Sequence, residues 1–159
     1  MNKRLNPSTV PAPFSRYSQG IVTAPGARWL TVSGQVGVRA DGTLVEGFEA
    51  QYEMALRNVI GVVEAAGMKT SDIVKLTTFM MDGSAIVRAR EIRTRLMGDA
   101  APASTLVLVA GLANPAWLVE IEAIAAKAAP AAKAAPARRA AARKSASKTK
   151  GKAKRKGRR

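Results

Sequence analysis

Hydrophobic positions along the chain fall into two registers. Between Phe48 and Ala66, Tyr52, Leu56, Val59 and Val63 recur every three or four residues, and Ala55, Val62 and Ala66 widen the stripe. That period predicts an amphipathic helix. Glu49, Glu53, Arg57 and Glu64 fall mostly off the stripe, Glu53 and Arg57 form a favourable i,i+4 pair, and Gly67 stops the helix. A second helix is predicted over Ala85 to Met97, entered through the turn Asp82-Gly83-Ser84 and ended by Gly98. Its stripe is Ile86, Ala89, Ile92/Arg93 and Leu96.

The other apolar runs are short and β-prone. Ser18–Thr23, Trp29–Val38, Leu44–Val45, Ile73–Met81, Thr105–Ala110 and Trp117–Ala125 read as strands, separated by turn chemistry such as Ala24-Pro25-Gly26 and Asp41-Gly42. The order β-β-β-α-β-α-β-β predicts an α+β domain, a single sheet with both helices on one face. In Trp117–Ala125, Val119, Ile121 and Ala123 point one way and Leu118, Glu120, Glu122 and Ile124 the other. Both faces of the sheet therefore carry apolar side chains, and an apolar outer face predicts burial in an oligomer.

Charge divides the chain. Of 26 Lys and Arg residues, 14 lie in residues 127–159, which contain no Asp or Glu; residues 1–126 hold the other 12 together with all 11 acidic residues. A nearly neutral domain, 1–126, is thus followed by a polycation, 127–159. His and Cys are absent, which excludes disulfides, thiolate nucleophiles, Ser-His-Asp catalysis and the usual zinc sites. No metal or cofactor is expected. Residues 5–14 contain Pro7, Pro11 and Pro13 rather than an apolar core, so the start is not a signal peptide. Ala100–Val119 is uncharged and long enough for a membrane span, but Pro102, Gly111 and Pro115 interrupt it. No membrane partner is expected, and the reading favours a cytoplasmic protein.

Six short strings occur in order: Tyr17-Ser18-Gln19-Gly20, Val32-Ser33-Gly34-Gln35-Val36, Glu64-Ala65-Ala66-Gly67, Asp72-Ile73-Val74-Lys75, Pro102-Ala103-Ser104-Thr105 and Val119-Glu120-Ile121-Glu122-Ala123-Ile124-Ala125. Together they resemble the RidA/YjgF family of reactive-intermediate deaminases over residues 6–126. The resemblance implies a fold like that of the small trimeric chorismate mutase: a mixed sheet with two helices on one face, three copies joining their sheets in a central barrel. It also implies small-molecule clefts between subunits and hydrolysis of 2-imino acids, or their enamine tautomers, to 2-keto acids and ammonia.

Carried over residue by residue, the resemblance makes Tyr17 and Ser33 pocket residues beside Gly34, and Glu120 the carboxylate that handles water. The family's carboxylate-gripping Arg does not carry over; Ser104 stands there, and Leu106 stands where a Cys is usual. A lone hydroxyl cannot replace a guanidinium fork, so the implied substrate is altered. A pocket Asn of the family falls on Arg88, for which two readings stand: a solvated helix face shared with Arg90, Arg93 and Arg95, or a cation for the cleft. Beside their site roles, Tyr17 fits packing at a strand end, Ser33 turn chemistry and Glu120 an intersubunit ion pair.

The tail opens with a KAAPAA repeat of period six from Lys127 and resembles the Lys/Ala/Pro-rich tails of linker-histone-like bacterial proteins. Dense like charge and repeated Pro predict disorder. Without aromatic residues, binding to DNA or RNA would run through phosphates and ignore sequence. The candidate contacts are Arg138, Arg139, Arg143, Lys144, Lys148, Lys150, Lys152, Lys154, Arg155, Lys156, Arg158 and Arg159. Such binding would bring nucleoid association, and a merely solubilising extension is the other reading. The expected partners are thus further copies of the chain in a homotrimer, a small molecule, and DNA or RNA.

Overall fold

A computed structural model describes residues 1–128. The expected tail residues, from Arg138 onward, lie outside the described residues.

The element order is β1 (Lys3–Leu5), β2 (Gly20–Val22), β3 (Arg28–Val36), α1 (Phe48–Ala65), β4 (Ile73–Met80), α2 (Ile86–Met97), β5 (Ala103–Leu108) and β6 (Val119–Lys127). Four strands make one sheet in the order β3-β6-β4-β5; β4 and β5 run parallel and the other pairs antiparallel. The fold is α+β, two helices on a mixed sheet, as the pattern predicts. Two details differ. Leu44 makes only an isolated bridge to Val38 across the Asp41-Gly42 turn, so no third strand forms there. A separate ribbon, β1 with β2, adds a strand that the polar run Lys3-Arg4-Leu5 does not announce.

The α1 stripe drives the fold. Tyr52, Ala55, Leu56, Val59 and Val63 are buried against Val32, Leu76, Met80, Val119, Ile121, Ala123 and Ala125. Each fully buried large apolar side chain contributes about 1.5–3 kcal/mol relative to exposure. Val62 departs from its predicted place on the stripe and is partly exposed, one residue around from Val63. The sheet's outer face carries Trp29, Thr31, Thr77, Phe79, Glu120, Glu122 and Ile124 by strict alternation with the buried set.

Remote cations close the end of α1, and local turn chemistry leads into α2. Gly67 turns the chain at φ 68°, and Arg28 and Lys127 donate to the Ala66 and Gly67 carbonyls at 2.7 and 2.6 Å. Cations there satisfy orphan carbonyls at the negative end of the helix dipole. Lys127, counted above with the tail, therefore closes β6 and caps α1. Asp82 holds the turn into α2 through Ser84 N–H at 2.8 Å, and Gly98 ends α2 at φ 56°.

Candidate functional site

The N-terminal segment is pinned to the start of β5. Ser18 N–H donates to the Pro102 carbonyl at 3.1 Å and Ser18 Oγ to the Ala101 carbonyl at 2.7 Å. Ser18 is fully buried, which fixes its neighbour Tyr17 beside the sheet edge. In β5, Ser104 pairs with Leu76 and Leu106 with Thr78. Leu76 and Thr78 belong to the buried face, so Ser104 and Leu106 face α2.

A cleft of about 180 Å³ opens there. Tyr17, Ser104 and Leu106, three of the residues singled out by the sequence, line it together. Phe14, Ser15, Tyr52, Thr78, Ala89, Arg90 and Arg93 complete the lining. Arg93 is the central group. It is only 9% exposed, and its Nη1 donates to Ser104 Oγ at 2.9 Å. Its Nη2 donates to Ser15 Oγ and to the Arg16 carbonyl, both at 3.2 Å. Desolvation lowers the pKa of this guanidinium, nearby Tyr52 opposes that shift and Arg90 adds to it; an arginine stays charged regardless. Burial raises the pKa of the Tyr52 phenol, which keeps it a hydrogen-bond donor at neutral pH.

Arg88, the cation aligned to the pocket by resemblance, lies elsewhere. It points to solvent and pairs with Glu91 at 2.9 Å and Glu49 at 3.4 Å. Five residues advance a helix by about 140° past a full turn, so Arg88 and Arg93 cannot share a face. The signal for Arg93 was present in its position on the apolar stripe, at i+4 from Ala89 and i+7 from Ile86. A charge at such a position is buried by the helix's own packing. Tyr52 and Thr78 gave no separate signal, because both read as core.

Ser33, Gly34 and Glu120 gather at a second place. β3 carries one extra residue between the pairs Val32–Ala123 and Gln35–Ile121, and this bulge holds Ser33 and Gly34. A side chain at position 34 would place its Cβ 1.7 Å from Glu120 Oε1. Glu120 can lie across the strand only because residue 34 is Gly. Among the described residues no cation pairs with this half-buried carboxylate. Glu120 pairs with Phe79 on the outer face, whereas Ser104 and Leu106 face the helices. Within one chain the two groups therefore stand on opposite sides of the sheet.

These features define a small α+β protein with a hydroxyl-lined, cation-bearing cleft at one sheet edge and a carboxylate on the opposite face. The chain belongs to the RidA/YjgF family: the family model described as endoribonuclease L-PSP matches residues 8–127. It is 32% identical over 119 residues to a RutC family protein of Pyrococcus horikoshii, covering 74% of this chain and 91% of that one. It is 34% identical to the 2-iminobutanoate/2-iminopropanoate deaminase of Salmonella typhimurium, over 80% of this chain and 99% of the relative. Among solved structures it is similar to a Rid family protein of unknown function from Yersinia pestis, with TM-score 0.69, 29% identity and coverage of 78% and 97%. Among the described residues no helix is long and apolar enough to cross a membrane, and no group of acidic residues is placed to hold a metal ion.

Proposed function

We propose that this protein is a small-molecule hydrolase of the imine or enamine deaminase type, with a substrate range shifted from that of relatives that carry a strand arginine. The observation that carries the reading is the convergence of Tyr17, Ser104 and Leu106, matched to the family's pocket, on one cleft. The net reaction is addition of water across C=N, followed by loss of ammonia to leave C=O. Glu120 accepts a proton from the attacking water, and hydroxyls of the cleft orient the substrate.

Because Glu120 and the cleft lie on opposite faces of one sheet, a second copy must supply one of them. The outer face exposes Trp29 and Val107 and half-buries Phe79 and Ile124, which suits packing into the barrel of a homotrimer. We assign the neutral domain, residues 1–126, to this assembly.

The test is a hydrolysis assay on a panel of imines and enamines, 2-iminobutanoate included. We expect weak turnover of 2-iminobutanoate, faster turnover of another member, and loss of about 100-fold or more in Glu120→Gln, in line with removal of a general base. No turnover of any imine or enamine would end the reading, as would a monomer at micromolar concentration in sedimentation.

A second reading concerns the tail, whose 14 basic and no acidic residues suit non-specific binding to DNA or RNA. Three tails on one trimer would bind more tightly than one through raised local concentration. A salt titration of duplex DNA binding, full chain against a chain ending at residue 128, which keeps Lys127 as the last residue of β6, decides it. Equal binding by both, or none at low salt, removes the nucleic-acid role.

A further inference from the structure

We infer that Arg93, projecting from helix α2, is the anion-binding residue of the cleft, so that a small carboxylate is gripped from the helix side rather than from the strand. This rests on the cleft being the ligand site, but not on the chemistry proposed there.

Arg93 makes three hydrogen bonds, and all three acceptors are neutral: two serine hydroxyls and a backbone carbonyl. Among the described residues no carboxylate lies in ion-pair range of it. The acidic groups around α2 are engaged otherwise, Glu91 and Glu49 with Arg88, Glu53 with Arg95, and Asp99 with Arg16. The cleft lining offers the hydroxyls of Ser15, Tyr17, Tyr52, Thr78 and Ser104 and a second cation, Arg90, but no Asp or Glu. A buried charge with three of its five N–H donors used and its counter-ion missing is costly, and such a charge in a cleft marks a place for an anion.

Geometry then gives the role. Nη1 reaches the hydroxyl of residue 104 at 2.9 Å. The guanidinium thus stands one hydrogen bond away from the strand position that Ser104 occupies, in space that only a small side chain there leaves open. A planar guanidinium suits a carboxylate, whose two oxygens can take parallel N–H donors. The cleft's 180 Å³ is about six waters' share of liquid volume, enough for a molecule of a few carbon atoms.

The test uses the full chain and two probes of equal shape, 2-oxobutanoate and its neutral amide, in calorimetric titration. The wild type should bind the acid about 10-fold or more tightly than the amide. Arg93→Gln should lose that preference while keeping its affinity for the amide. Arg88→Gln should keep both. The paired variant Arg93→Gln with Ser104→Arg, which moves the guanidinium to the strand, should recover a preference for the acid. Circular dichroism and sedimentation establish that each variant is folded and assembled. Equal affinity of the wild type for acid and amide overturns the inference without any variant, and so does a preference that survives in folded Arg93→Gln. The two proposals fail separately. Acid binding without hydrolysis leaves Arg93 its role and removes the deaminase reading; hydrolysis with a KM indifferent to Arg93 does the reverse.

Discussion

Each helix buries one strongly polar side chain among its apolar ones, and the two are treated in opposite ways. On α1, Gln51 is 2% exposed, and both ends of its amide are used. Its Nε2 donates to the Ala116 carbonyl at 3.0 Å and its Oε1 accepts from Leu118 N–H at 2.8 Å. That amide ties the approach to β6 onto α1 and leaves nothing unsatisfied. On α2, Arg93 also finds hydrogen-bond partners, but none of them carries charge. A buried amide asks only for partners, whereas a buried guanidinium also asks for a counter-ion. Hydrogen-bond satisfaction alone would rank the two as equivalent structural groups. Charge separates a tie between elements from a candidate ligand site.

The comparison is broken most severely at its structural end. Gly37 lies against α1 so closely that a Cβ would stand 2.6 Å from Gln51 Cα. The obstacle is helix backbone, which cannot swing aside. Gly37→Ala should therefore cost about 3 kcal/mol by overpacking, read as a lower urea midpoint. A loss below about 1 kcal/mol would show that α1 and the segment just past β3 are not rigidly apposed. Gln51→Leu should cost about 2 kcal/mol, since it strands the Ala116 carbonyl and Leu118 N–H. It should leave the preference of the cleft for an acid over an amide unchanged.

How far the sequence reached follows the same division. The α1 stripe and the alternation of β6 were legible because burial imposes a period on them, and Tyr52, Ala55, Leu56, Val59 and Val63 are buried where the period puts them. The ribbon strand Lys3–Leu5 was not, because its pairing with Gly20–Val22 depends on backbone partners rather than on an apolar pattern. Family resemblance singled out Tyr17, Ser104 and Leu106, which line one cleft together. It aligned Arg88 to the pocket, although helical phase turns Arg88 outward and Arg93 inward. Arg93 stood on the predicted stripe of α2 as Ile92/Arg93, whereas Gln51, one residue before Tyr52, drew no reading of its own. Which of the two had a complete set of partners required the fold.

A smaller effect sharpens the contrast between paired and unpaired charge. Glu53 bridges the helices, accepting from Arg95 at 2.7 Å and from Arg57 at 2.7 Å. Hydrogen bonds from Arg95, and then Arg57, lower its pKa from 4.5 to about 2. A carboxyl depressed in the folded state stabilises the fold above its unfolded pKa and loses that contribution as pH falls through the folded value. Glu53→Gln should thus cost up to about 1 kcal/mol at pH 7, as expected for a pair near the surface. The gap between the variant and the wild type should narrow from about pH 4.5 and close only below about pH 2. A gap independent of pH would mean that Glu53 acts through packing.

The smallest expected change in stability is the most informative. Arg93→Met removes three hydrogen bonds from a charged donor and, with them, the cost of holding that charge out of water. Two of the three acceptors are serine hydroxyls, which can turn toward other partners, and only the Arg16 carbonyl is fixed. Removing one member of a buried ion pair is destabilising because it strands the other charge, whereas Arg93 has no charged partner to strand. We therefore expect the urea midpoint to stay near that of the wild type, while the preference of the cleft for 2-oxobutanoate over its amide disappears. A fall comparable to that of Gln51→Leu would place Arg93 with Gln51, as a tie between α2, β5 and the N-terminal segment. A stability left unchanged, with acid binding lost, would show that the chain keeps this cation for what enters the cleft rather than for its fold.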